Sequence, residues 1–176
     1  MTRVYLPATL STLAQAYVSS GFESGHDAHA VTPAIREWYV EGDLEELEYV
    51  AFTEAALASL RLLAADVSAE ARYENRRVVV AADVPDEAVL PLAGTEPGVA
   101  GPATSPRSRV RLSCTVRFAD VASVHIDDEA VSRVIGAAVR ALPAADAGDD
   151  DARFTLDEAA AQDLLWFDVS ELPDLI

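Results

Sequence analysis

Apolar positions along the chain recur at two spacings, one near 3.6 residues and one of two, and the switches between them divide the sequence into elements. Val4–Leu6 is a short β-like run that Pro7, lacking an N–H for a sheet ladder, should stop. Thr9 is a predicted N-cap for a helix carrying Leu10, Leu13, Ala14 and Tyr17, with Gly21 beyond its end. Residues 22–29 read as a polar loop. Thr32-Pro33 then supplies an N-cap followed by proline at the first helical position, for a helix ending near Gly42.

The longest helix should start at Asp43, with Glu46 three residues on as its capping-box partner. Leu44, Leu47, Val50, Ala51, Leu57, Leu60, Leu63 and Ala64 recur along it at helical spacing. The middle of the chain is β-like. Three consecutive valines lie within Arg77–Ala82, and Ala88–Leu92 is a shorter candidate strand. Val110, Leu112, Cys114 and Val116 alternate with Arg109, Arg111, Ser113, Thr115 and Arg117, so one face is packed and the other wet or paired with acids. Val121–Ile126 is a further strand, leading to a helix capped at Asp127 or Asp128 and closed by Pro143. A last helix is expected from the Thr155/Glu158 pair through Leu164, Leu165, Trp166 and Phe167, with an extended tail over 170–176.

These elements predict one α+β domain over 1–176, with a mixed four- to five-stranded sheet covered by helices mainly on one face. Residues 93–107, rich in Gly, Pro, Ser and Thr, are expected to be a mobile loop, and 146–151 an acidic linker.

Composition changes the picture chiefly through charge. Thirty acidic residues against thirteen basic ones give a net charge of −17, and all thirteen basic residues are Arg. Such a field repels nucleic acid and anionic membrane, leaving a protein with a basic surface as the expected partner class. The one local exception to test is the series Arg107, Arg109, Arg111 and Arg117. No apolar run is long enough to span a bilayer, and Met1–Pro7 lacks a signal-peptide core, so the expected location is cytoplasmic. The single cysteine, Cys114, reads as a small hydrophobe in an alternating strand.

Candidate chemistry is sparse. Glu23, His26, Asp27 and His29 are metal-ligand types close together, but in a loop that does not fix their geometry, and no metal or cofactor is expected. Ser123, His125 and Asp127 share one strand face and match a nucleophile, a base and an orienter, although a triad ordinarily converges from separate elements. The acidic clusters 127–129 and 149–151 read as helix caps. Gln162-x-x-Leu165-x-Phe167 resembles sliding-clamp-binding peptides, with core packing as its alternative. Carboxylates at 37–48, set among Trp38, Tyr39 and Tyr49, would suit a cationic ligand if the rings line a pocket, or would face solvent if the rings pack inward. No phosphate-binding Gly-rich loop, dinucleotide fingerprint or Cys-x-x-Cys occurs.

The segments RVYLPATL (3–10), VTPAIREWYVEGDLEELEYVAF (31–52), LPAADAGDDDARF (142–154) and LLWFDVSELPDLI (164–176) resemble a family of uncharacterised actinobacterial proteins, a domain of unknown function. The resemblance implies a bacterial cytoplasmic protein and brings no site residues with it.

Two functional readings follow. The preferred one is a non-enzymatic, acidic interaction or regulatory domain, docking through Trp166, Phe167, Leu172, Leu175 and Ile176. The alternative is a small enzyme or ligand-binding protein with a pocket between the long helix and the sheet, using Arg36, Glu37, Trp38 and Tyr39.

Overall fold

A computed structural model describes residues 1–39, 41–65, 75–92 and 106–176. Its centre is an antiparallel sheet built on β1 (Thr2–Ala8) and β4 (Val78–Val84), which pair along their whole length from Thr2↔Val84 to Ala8↔Val78. Outward from β1 lie β3 (Asp27–Ala30), β6 (Arg109–Leu112) and β5 (Val89–Pro91); outward from β4 lie β8 (Val121–Asp127) and β9 (Leu164–Phe167). A separate two-stranded ribbon joins β2 (Gly21–Phe22) to β7 (Val116–Arg117).

The sheet therefore has seven strands, not four or five, and every neighbouring pair is antiparallel rather than mixed. The excess comes from short strands at positions where local pattern points elsewhere. Asp27–Ala30 carries polar Asp27 and His29, yet both have partners across the sheet, so a segment expected as loop is a strand. Leu164–Phe167 is an apolar run equally compatible with helix, and pairing with β8 makes it a strand. Pro7 lies inside β1 rather than ending it. The ladder to β3 reaches only Val4 and Tyr5, so β4 alone flanks Pro7, an edge-like setting that proline tolerates.

Alternation gives the sheet two packed faces. On one, Val4, Leu6, Val78, Val80, Val124 and Ile126 meet α1 (Leu10–Ser19), Phe22 and Leu172. On the other, Tyr5, Val79 and Ala81 meet Ile35 of α2 (Pro33–Trp38) and Leu47, Ala51 and Ala55 of α3 (Leu44–Ala65). The Ser59 hydroxyl pins α3 to the sheet, donating to the Ala8 carbonyl (2.7 Å) and accepting from the Val78 N–H (2.9 Å). A buried hydroxyl in mid-helix is thereby fully satisfied.

Farther along α3, Leu60 and Leu63 pack against α4 (Ser132–Asp146) and α5 (Asp150–Ala160) through Ile135, Leu142 and Ala159. Among the described residues, α2, α3, α4 and α5 thus gather on one side of the sheet. α4 runs past Pro143, whose missing N–H costs one bond near the helix end. Within the span 146–151 the connection between α4 and α5 is a short turn over 147–149. Asp146 closes α4 and ion-pairs with Arg61, while Asp149 caps α5 by accepting from the Ala152 N–H, so α5 begins well before Thr155. The tail is a 3₁₀ turn over Val169–Asp174 that buries Leu172 completely, rather than an extended strand. Of the expected loop at 93–107, residues 93–105 lie outside the described residues; Arg107 belongs to the turn that leads into β6.

Candidate functional site

The uneven cover of the sheet creates the site. α3 crosses the strands near β1, β3 and β4, whereas α4 and α5 pack on the far part of α3. Between α3, α5 and the sheet an open cleft of about 950 Å³ remains, in the size range of small-molecule sites. Tyr5, Ala81, Ser123 and His125 form its floor. From α3 come Glu48, Tyr49, Phe52 and Leu57; from α5 come Arg153, Leu156, Asp157 and Ala160; Trp166 of the edge strand β9 stands at one side.

The floor is polar at one point. Ser123 and His125 are two apart on β8 and share a face, and Ser123 Oγ lies 3.0 Å from His125 Nε2. The register between β4 and β8 shifts beside them, at Ala81/Ala82. Burial holds the His125 imidazole below its ordinary pKa, which keeps the ring neutral near pH 7. A serine hydroxyl and a neutral imidazole nitrogen can each donate or accept, so the tautomer sets the direction of this bond. The edge of the ring packs against Phe52 at 4.9 Å, and Phe52 meets Tyr5 at 5.8 Å in an edge-to-face contact. Burial first, and then the negative charge of Glu48, push the Tyr5 phenol up to about 12.

Asp127, the third residue of the alternating set, is on the same strand face but is taken up by Arg77. Its carboxylate accepts from Arg77 Nε (2.9 Å), Arg77 Nη2 (2.7 Å) and the Arg77 backbone N–H (2.7 Å), all buried. Arg77 Nη2 also donates to the Gln162 carbonyl at 2.8 Å, anchoring the entry to β9. The structure thus brings Ser123 and His125 together and leaves Asp127 out of the pair.

A second polar chain lies under α3. His29 Nδ1 is 2.6 Å from Ser108 Oγ, and Ser108 donates to Glu54 through both its hydroxyl and its backbone N–H. Ser108 stands between the carboxylate and the imidazole, the reverse of the order in a hydrolytic triad, and it is fully buried. Burial lowers the His29 pKa to about 4, so this histidine is neutral.

The other sequence candidates are dispersed. His26 is exposed with its ring against Phe22, Asp27 receives Arg109 and Arg111, and His29 turns to Ser108. Among the described residues no cluster of His, Cys, Asp and Glu has the makings of a metal site. The four arginines of the basic series are individually engaged: Arg107 over the Trp38 ring at 4.1 Å, Arg109 and Arg111 on Asp27, Arg117 on Asp120. Arg36, Glu37 and Trp38 are exposed on α2 outside the large cleft, and Tyr39 borders a shallower hollow of about 510 Å³ with Glu45, Glu46 and Tyr49. In the tail, Leu172 is wholly buried and Leu175 and Ile176 pack on the same core as Phe167, whereas Trp166 is 59 % exposed.

Residues 2–176 match a family described as Family of unknown function (DUF6912). The chain belongs to DUF6912. No curated protein and no solved structure matches it, so the DUF6912 match brings no site residues and the chemistry of this member rests on its own geometry. No helix among its described residues is long and apolar enough to cross a membrane.

Proposed function

We propose that this DUF6912 protein binds a small molecule in the cleft between α3, α5 and the sheet. The observation that carries the reading is the stretch of sheet left uncovered between the two helices, where the hydrogen-bonded pair Ser123 and His125 lies among aromatic rings. A concave apolar site with a few convergent polar groups is the usual form of a ligand pocket. Binding rather than catalysis fits the pair, because His125 has Phe52 against its ring and the one carboxylate on the same strand face is held by Arg77. A cytoplasmic, actinobacterial setting belongs to the same proposal, supported by the absence of lysine and the acidic composition.

A specific observation also favours an acidic interaction surface. Trp38, Tyr39, Leu44 and Tyr49 are exposed beside Glu37, Glu41, Glu45 and Glu46 on α2 and the start of α3, an apolar and acidic surface suited to a basic protein partner. The two readings share Glu45 and Tyr49 but differ at Ala160, which lines only the cleft. Ala160 is exposed on the cleft wall, so Ala160→Trp fills the cleft without overpacking the core. A thermal-shift screen of small metabolites should yield compounds that raise the Tm of the wild type and leave Ala160→Trp unmoved. Compounds that stabilise both equally would place binding outside the cleft.

A further inference from the structure

The charge and ring content of the cleft define a class of occupant. Glu45, Glu48, Asp157 and Asp163 line it, and among the described residues none of the four forms an ion pair. Two of the three arginines along the cleft are already neutralised. Arg3, the cation that senses Glu48, is gripped by Asp83 through Nε (2.7 Å) and Nη2 (2.9 Å), and Arg77 is buried against Asp127. Only Arg153 remains, and it reaches back to Asp150 at 3.2 Å. The local balance is therefore negative, inside a chain whose net charge is already −17, and low-dielectric walls focus such a field on the cleft.

Four aromatic rings share that space. Tyr5 and Phe52 are stacked edge to face at the floor, while Tyr49 and Trp166 stand at the mouth, 67 % and 59 % exposed. The ring faces attract a cation, and the same rings shelter an apolar body. An anion would meet these four carboxylates, the Glu54 carboxylate that receives Ser108, and one arginine that is already paired. A neutral apolar molecule would leave those carboxylates unanswered.

We infer that the ligand of this cleft is an organic cation with an apolar or aromatic body, its charge answered by Glu48 and Asp157 and its body lying among Tyr5, Tyr49, Phe52 and Trp166. The inference rests on the small-molecule reading above.

The test titrates the full-length chain with three probes that share a benzyl group: benzyltrimethylammonium, benzyl alcohol and phenylacetate. The readout is the indole N–H resonance of Trp166, assigned by its loss in Trp166→Phe. Benzyltrimethylammonium should shift that resonance with a Kd about ten-fold or more below that of benzyl alcohol, while phenylacetate binds weakest. Glu48→Gln combined with Asp157→Asn should remove the advantage of the cation, leave benzyl alcohol unchanged and preserve the fold. Glu87→Gln, on an exposed turn away from the cleft, should change nothing. If benzyl alcohol or phenylacetate binds as tightly as the cation, the ligand class is overturned and the cleft stands as a binding site. If no probe moves Trp166 at about 10 mM, well above millimolar affinity, the ligand class and the small-molecule reading both fall.

Discussion

Asp127 and Arg77 form a bidentate ion pair with essentially no solvent exposure, reinforced by the Arg77 backbone N–H on the same carboxylate. The pair ties the start of β4 to the end of β8 and, through the Gln162 carbonyl, to the chain entering β9. Removing one partner leaves the other charge buried and unanswered, which typically costs about 3–5 kcal/mol. Asp127→Ala should therefore lower the urea midpoint sharply at unchanged m. The double variant Arg77→Met/Asp127→Leu should recover much of the loss, because an apolar pair carries no stranded charge.

The pH dependence of stability should be set largely by His29. Its folded pKa of about 4 lies below the ordinary 6.5 because the ring is buried, so the unfolded chain takes up a proton that the folded one refuses. Stability is then fully present above about pH 6.5 and falls as pH drops toward 4, by about 3 kcal/mol from this group. His125, shifted the same way by burial, adds to the slope. Urea unfolding at pH 7 and pH 5 should show a clear loss in the wild type and a shallower one in His29→Gln. Equal slopes would mean that Ser108 and Glu54 hold the His29 proton in the folded state.

How much of this was legible in sequence follows from how local each signal is. The caps at Thr9, Thr32-Pro33 and Asp43/Glu46 depend on residues three or four apart, and all three form as read. The alternation Arg109/Val110/Arg111/Leu112 correctly announced a packed face opposite a paired one, with Asp27 as the acid. Leu164–Phe167 misled because a four-residue apolar run has no period of its own; its strand state depends on β8, about forty residues earlier. Asp149 outcompetes Thr155 as the cap of α5, and both have cap-like sequence. The cleft was the least legible feature. A pocket between the long helix and the sheet is expected from sequence, but with Arg36, Glu37, Trp38 and Tyr39, whereas its walls come from β1, β4, α3, β8, α5 and β9.

Leu172 makes a separate claim about the C-terminal turn. It is 0 % exposed and packs into the cluster that holds Val124 and Ile126. Leu172→Ala should cost about 2–5 kcal/mol, the usual range for a large-to-small change in a core. Deleting 170–176 should lower the Tm at least as much. An unchanged melt would mean the tail is free to serve a partner.

Ser123 should matter to the cleft more than to the fold. Ser123→Ala removes the hydroxyl bonded to His125 Nε2, and a lone partly buried imidazole nitrogen left without its bond costs on the order of 1 kcal/mol. Any ligand that uses the pair should weaken by a larger factor, which calorimetric titration of wild type and variant would show.

The central claim is that the space between α3, α5 and the sheet takes a small molecule. Native mass spectrometry after incubation with a metabolite extract of the source cells tests it most directly. The wild-type chain should carry a discrete added mass that Ala160→Trp lacks, with both proteins folded to the same degree. An identical mass profile for the two, bare or equally loaded, would contradict it.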